Sequence, residues 1–158
     1  MQIRLANAND AEIISSLNAD VQKIHATALP HLFKPPSKDV FPPSAVIELL
    51  ANSNNYIYIG QLDGKDIGYI YAEIRNLPET PFRYAMDMVY IHHISLNPEY
   101  QHKGFGEILI EAIKALAREK DLSLIALDVW SFNIKAHAFF AKQGFTNFND
   151  RMWLEISK

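Results

Sequence analysis

Apolar side chains recur at helical spacing early in the chain. Ile13, Ile14, Leu17, Val21 and Ile24 fall on one face, which predicts an amphipathic helix. Asn9 stands three residues before Glu12, an arrangement like a capping box with Asn in place of Ser or Thr, and this marks the helix start. The helix should fade at Leu29-Pro30, because proline drives the preceding residue out of helical geometry. A short apolar segment at 3–5 comes before it. Residues 30–43 hold Pro30, Pro35, Pro36, Pro42 and Pro43 and read as a stiff, extended loop. Its apolar members, Leu32, Phe33, Val40 and Phe41, gain stability only by packing back on the protein, so a free linker is not expected. A short helix over 44–51 follows.

The period then changes from helix-like to strand-like. Tyr56-Ile57-Tyr58-Ile59 and the 67–75 segment flank Asp63-Gly64, the pattern of a hairpin. Leu77-Pro78 and Pro81-Phe82 interrupt it, and a third strand should run over 83–96 to Asn97-Pro98. Ile108, Leu109, Ala112, Ile113, Leu116 and Ala117 form a long helical stripe. A buried strand over 123–129 and a helix over 134–143, stopped by Gly144, come next. Alternation of Met152, Leu154 and Ile156 predicts a final strand. The order β-α-α-β-β-β-α-β-α-β is that of an α+β fold, a mixed central sheet flanked by helices, with neither repeats nor an internal boundary. A single domain over 1–158 is expected.

Composition narrows the function classes. The 158 residues are 49% apolar and 21% charged, near the globular average. Fifteen basic against eighteen acidic residues give a net charge of −3, so no nucleic-acid partner is expected. The absence of cysteine excludes disulfides, a thiolate zinc site and a cysteine nucleophile. Six histidines permit a His/carboxylate metal site, but neighbouring His92 and His93 should point to opposite faces of a strand, and no metal is expected. No apolar run approaches the roughly 18 residues that span a bilayer, so no membrane partner is expected. The opening Met1-Gln2-Ile3-Arg4-Leu5 lacks the charged-then-apolar pattern of a secretory signal, giving the expectation of a cytoplasmic protein.

Gln101-His102-Lys103-Gly104-Phe105-Gly106 lies between a strand and a long helix. Glycine lets backbone N–H groups converge, and a helix start carries unpaired donors and the positive dipole end. Together they suit a phosphate or diphosphate, to which Lys103 could add charge. Taken alone, two glycines serve a tight strand-to-helix connection equally well. A dinucleotide fingerprint is excluded, because Leu109 stands where its third glycine belongs. A P-loop is excluded as well, because Glu107-Ile108 follows Gly106.

The stretch from Leu96-Asn97-Pro98 to Gly104-Phe105-Gly106 resembles motif A of the GNAT superfamily of acetyl-CoA-dependent N-acetyltransferases. A second block, Asn133-Ile134-Lys135-Ala136 with Phe139-Phe140-Ala141-Lys142-Gln143-Gly144-Phe145, resembles that family's Asn-x-x-Ala…Tyr-x-Lys-x-Gly-Phe segment. The resemblance implies that backbone N–H groups from Gln101 to Gly106 hold the CoA diphosphate. It implies further that Ile94 and Leu96 pair with the pantetheine arm like an added strand, and that Asn133 lies on the arm's far side. Acetyl-CoA would be the co-substrate and a small-molecule or peptide amine the acceptor. A homodimer is admitted, as the commonest assembly of soluble proteins.

Acetylating an amine requires its neutral form, which for a lysine-like group near pKa 10.4 costs about 4–5 kcal/mol at pH 7. A general base is therefore useful. Strand alternation puts Tyr90, His92, Ile94 and Leu96 on one face, and Ile91, His93 and Ser95 on the other. His92 then lines the cleft as candidate base or water relay, with Tyr90 as helper; both are also readable as ordered polar residues beside the sheet, and His93 as packed or partly exposed. Many family members carry a tyrosine where this chain has Phe140. Phe140 can pack against the acyl arm but cannot protonate a thiolate; either water or Tyr90 does so, or the thiolate leaves unassisted, which a thiol pKa near 8.5 allows. An acceptor pocket would draw on His25, His31, Phe33 and Phe41, which ordinary loop packing explains as well. Glu73 or Asp87 could attract a cationic amine, Arg75 a carboxylate-bearing acceptor. Two other readings stay open: a non-catalytic acyl-CoA-binding module, and a phosphate-binding regulatory domain of unrelated fold.

Overall fold

Five strands pair in the order β1 (Gln2–Leu5), β2 (Asn55–Leu62), β3 (Lys65–Leu77), β4 (Met86–Leu96) and β5 (Ile125–Leu127) in a computed structural model that describes residues 1–156. β1 to β4 are antiparallel, and β5 lies parallel to β4, so the sheet is mixed as expected. The helices are α1 (Ala11–Ala28), α2 (Pro43–Ala51), α3 (Phe105–Glu119) and α4 (Ile134–Lys142). The chain divides into two compact units, Met1–Asp128 and Val129–Lys158.

In the first unit, strand alternation sends Ile57, Ile59, Tyr69 and Tyr71 to one face. There they form a buried cluster with Ile14 and Leu17 of α1 and Val46 of α2. α3 packs on β2, β3 and β4 through Leu109, Ile110, Ile113 and Leu116, all buried. The intervening residues, such as Ile70, face the other way from Tyr69 and Tyr71 and are also fully buried. A central strand covered on both sides must be apolar at successive positions, and β3 is buried without a break from Ile67 to Ala72. Gly68 permits a close approach to β4: a Cβ there would collide with the Ser95 carbonyl oxygen and the Leu96 side chain.

The proline-rich loop packs back as its composition demands. Ser15 Oγ donates to the Phe41 carbonyl at 2.6 Å, Gln22 Nε2 to the Lys34 carbonyl at 2.6 Å, and the His25 ring lies tilted against Phe33 at 5.0 Å.

Four expectations need correction. The capping box lies two residues earlier than read: Asn7 Oδ1 accepts from Asn9 N–H at 3.0 Å, and the Asp10 carboxylate accepts from Asn7 N–H at 2.8 Å. Asp10 wins over Glu12 because it also holds Arg4 through two 2.8 Å bonds. β4 begins at Met86, not 83, because Thr80 and Arg83 form a local bridge around Pro81. β5 keeps only three of the seven expected residues. The final strand over 152–156 does not form; Met152, Leu154 and Ile156 are exposed. Alternation marks a chain able to be a strand, but a strand exists only when its backbone groups pair.

In the second unit, Asn133 caps α4 by accepting from Ala136 N–H at 3.2 Å, and Phe140 is buried with its ring 5.1 Å from Phe139 and 5.5 Å from Phe145. Trp130 and Trp153 lie 6.1 Å apart.

Candidate active site

Two parts of the first unit carry the groups that matter, and they meet at β4. The first is the segment between β4 and α3. A tight turn over 98–100 is closed by Tyr100 N–H to the Asn97 carbonyl at 2.9 Å, and Gln101 Nε2 donates to the Leu96 carbonyl at 2.9 Å. Gly104 then takes φ +82°, with nothing within 4 Å of where a Cβ would stand, so the backbone conformation and not crowding requires glycine. Gly104 accepts the first helical bonds, from Glu107 N–H at 3.1 Å and Ile108 N–H at 3.4 Å. The amides of the first helical turn that precede them are the donors an α-helix leaves over. His102, Lys103 and Gly104 are exposed, and Lys103 Nζ sits 5.7 Å from the Tyr100 ring.

β4 also has a one-sided stretch. On its β3 edge it pairs at every residue but His92, with Ile94 opposite Ile70 and Leu96 opposite Gly68. On its other edge, β5 pairs only with Val89, Tyr90 and Ile91. From His92 to Leu96 that edge has no strand neighbour among the described residues, and it runs directly into the Gln101–Gly106 segment.

The second part is made of side chains. Tyr71 pairs with His93 and Ala72 with Ile91, so His92 is an extra residue without a partner in β3. Such a bulge re-aims the residues around it. Regular alternation would set His92 with Ile94 and Leu96, away from His93 and Ser95; the bulge overturns that. His92 stacks on Tyr71 at 4.6 Å and 11°, while His93 meets the same ring edge-on at 5.7 Å. Ser95 Oγ donates to the Leu17 carbonyl at 2.6 Å, and His93 meets Phe41 at 5.3 Å. Both histidines thus stand on the α1 side, and Ile94 opposite Ile70 on the other. Through the same bulge the adjacent His92 and His93 share a face instead of diverging. Among the described residues no three histidine or carboxylate side chains are gathered as a metal site.

Glu73, Arg75 and Tyr90 complete the cluster. Glu73 Oε2 lies 2.8 Å from His92 Nε2 and 2.9 Å from Arg75 Nε. Burial pushes the Glu73 carboxyl upward, but its bonds from Arg75 and His92 outweigh this and hold it below its ordinary value. The Arg75 guanidinium covers the Tyr90 ring at 3.5 Å, and Tyr90 lies 5.0 Å from His92. The Tyr90 phenol is pushed up, first by burial and then by the Asp128 carboxylate that accepts its hydroxyl. Deeper in, Asn18 Nδ2 donates to Tyr69 Oη at 2.8 Å, and Tyr69 Oη lies 3.1 Å from His93 Nδ1. Burial, with the charges of His92 and His25, pulls His93 down to about 4, so it is neutral near pH 7.

Of the residues singled out in the sequence, Tyr90 and His92 fall in one cluster, Ile94 and Leu96 on the adjoining edge, and Gln101 to Gly106 at its end. Asn133 and Phe140 belong to α4 in the second unit. Asp87 is exposed. Tyr71 was missed, and Glu73 and Arg75 were weighed only as charges for an acceptor. Strand register alone sets Glu73 against Tyr90, but only the bulge brings His92 to it.

A model of the acetyltransferase (GNAT) family matches residues 20–145. The N-alpha-acetyltransferase RimI of Mycobacterium tuberculosis is 32% identical over 108 residues, 68% of this chain and 62% of that relative. The chain therefore spans about three fifths of that relative's length. In fold it matches a mutant of the BH1408 protein from Bacillus halodurans, with TM-score 0.94 at 23% identity over 99% of this chain and 100% of that one. It also matches the aminoglycoside N-acetyltransferase AAC(6')-Iy in complex with CoA, with TM-score 0.74 at 18% identity over 99% and 100%.

Proposed function

This chain belongs to the GNAT family of acetyltransferases, and we propose that it moves the acetyl group of acetyl-CoA to a primary amine of a small molecule or peptide by direct attack in a ternary complex. The observation that carries this reading is the edge of β4 from His92 to Leu96, without a strand neighbour on one side among the described residues and leading into the amides before Gly106. A pantetheine arm carries amide groups and can add to such an edge as a strand would. Its diphosphate then meets the helix start, where N–H donors and the dipole favour negative charge. Relatives named for N-acetylation, one of them bound to CoA, support the same assignment.

The acceptor's neutral nitrogen attacks the thioester carbonyl, the new C–N bond forms as the C–S bond breaks, and the sulfur leaves as thiolate. His92, directly or through a water, takes the proton that the nitrogen sheds. The thiolate is protonated by water or by Tyr90, and a thiol with pKa near 8.5 leaves readily enough for either. Tyr90 is the weaker candidate, since its proton is held by burial and Asp128. Phe140, which lacks a hydroxyl, favours a second reading, an acyl-CoA-binding module without turnover.

Incubating the protein with acetyl-CoA and a panel of amines while following thiol release separates these. Release with any amine supports the transferase. CoA uptake with release from none selects the binding module, and no uptake sinks both.

A further inference from the structure

The cluster around His92 holds its ring on three sides. Tyr71 stacks on one face at 4.6 Å, Tyr90 meets it at 5.0 Å and 70°, and Glu73 Oε2 engages Nε2 at 2.8 Å. An ionised carboxylate can only accept a hydrogen bond, and Glu73 is kept ionised by its bonds from Arg75 and His92. The hydrogen in the 2.8 Å contact therefore sits on His92 Nε2. Arg75 Nη2 lies 3.5 Å from the same nitrogen, too far to compete as its donor. In a neutral imidazole with the hydrogen on Nε2, the lone pair is on Nδ1.

We propose that Glu73 is a positioning residue: through Nε2 it fixes the tautomer and ring orientation of His92, so that Nδ1 is the nitrogen that receives the amine's proton. This rests on the reading of the chain as an acetyltransferase with His92 as base. It assigns the β3 carboxylate to the base and not to a cationic acceptor, since its contacts with His92 and Arg75 are both internal. Glu73 thus does for His92 what a buried carboxylate does for the histidine of a hydrolase triad, by orientation and not by taking the proton.

The test is a long-range proton–nitrogen correlation spectrum of the full chain with labelled histidine, at a pH where His92 is neutral, the signals being assigned by their loss in His92→Ala. The native spectrum should show Nε2 protonated and Nδ1 bare. Glu73→Leu should move both nitrogens toward exchange-averaged values and lower kcat about tenfold or more, part of the ~10²–10⁴-fold a general base supplies. Its KM for acetyl-CoA should not change. Glu73→Gln, of the same shape and still carrying an acceptor oxygen, should keep the native tautomer and lose less kcat. Native nitrogen shifts in Glu73→Leu overturn the proposal whatever the activity does. Native kcat in His92→Ala is a different failure: it removes His92 from the transfer and leaves the tautomer assignment standing.

Discussion

The loop from Asn97 to Gly106 and the cluster on β3 and β4 are neighbours built on opposite plans. The loop works through main-chain groups: its conformational demands are the positive φ of His102 at +59° and of Gly104 at +82°, and its His102 and Lys103 side chains are exposed. The cluster works through side chains from two strands, Glu73, Tyr71 and Arg75 against Tyr90 and His92, and His92 joins it only because its strand carries an extra residue. A site of the first kind tolerates change in most side chains but not in backbone shape. A site of the second kind is the reverse.

The strongest way to break the contrast is Gly104→Asp. It forces a left-handed backbone, costing about 1–2 kcal/mol, and brings a negative charge to the diphosphate, so CoA binding by calorimetry should be lost. His92→Ala should leave that binding intact and lower kcat by ~10²–10⁴-fold in steady-state assays; binding lost together with turnover would merge the two regions. Next is pH. His93 has a folded-state pKa of about 4 against 6.5 in the unfolded chain. Between these values the unfolded chain binds a proton that the folded chain refuses, so stability is full above pH 6.5 and falls as pH drops toward 4. The loss totals about 3 kcal/mol. Urea midpoints measured from pH 7 to 4 should show this slope, and His93→Phe should flatten it. The smallest effect belongs to Gln101→Ala, which removes a 2.9 Å bond to the Leu96 carbonyl worth about 1 kcal/mol. CoA affinity should weaken about fivefold at most, since the backbone does the holding.

The same contrast explains what could be read from the chain. Gly104 and the stripe from Leu109 to Ala117 announce loop and helix locally, because backbone conformation and helical period depend on residues a few places apart. The hairpin around Asp63-Gly64 and the end of α1 before Pro30 were legible for the same reason. The bulge was not. Whether β4 slips at His92 depends on how Tyr71, Ala72 and Ile91 pack from other elements, and no residue at the slip itself marks it. Regular alternation therefore assigned His92 and His93 to opposite faces and hid Glu73. The strand expected at 152–156 failed through the same blindness to partners: its pattern is strand-like, but pairing is a property of two segments. The Asn7/Asp10 box was missed because Arg4, six residues before Asp10, decides between two equally spelled caps.

The open stretch of β4 is also a ruler. From Leu96 to His92 the chain takes four steps of about 3.3 Å, roughly 13 Å in all, and one end is anchored by the turn that follows. Under the proposed reading, a carrier held at that anchor would deliver its reactive carbon at a fixed mark beside the imidazole. A longer acyl chain would then leave that mark where it is and push its extra carbons past it, into the space the second substrate needs.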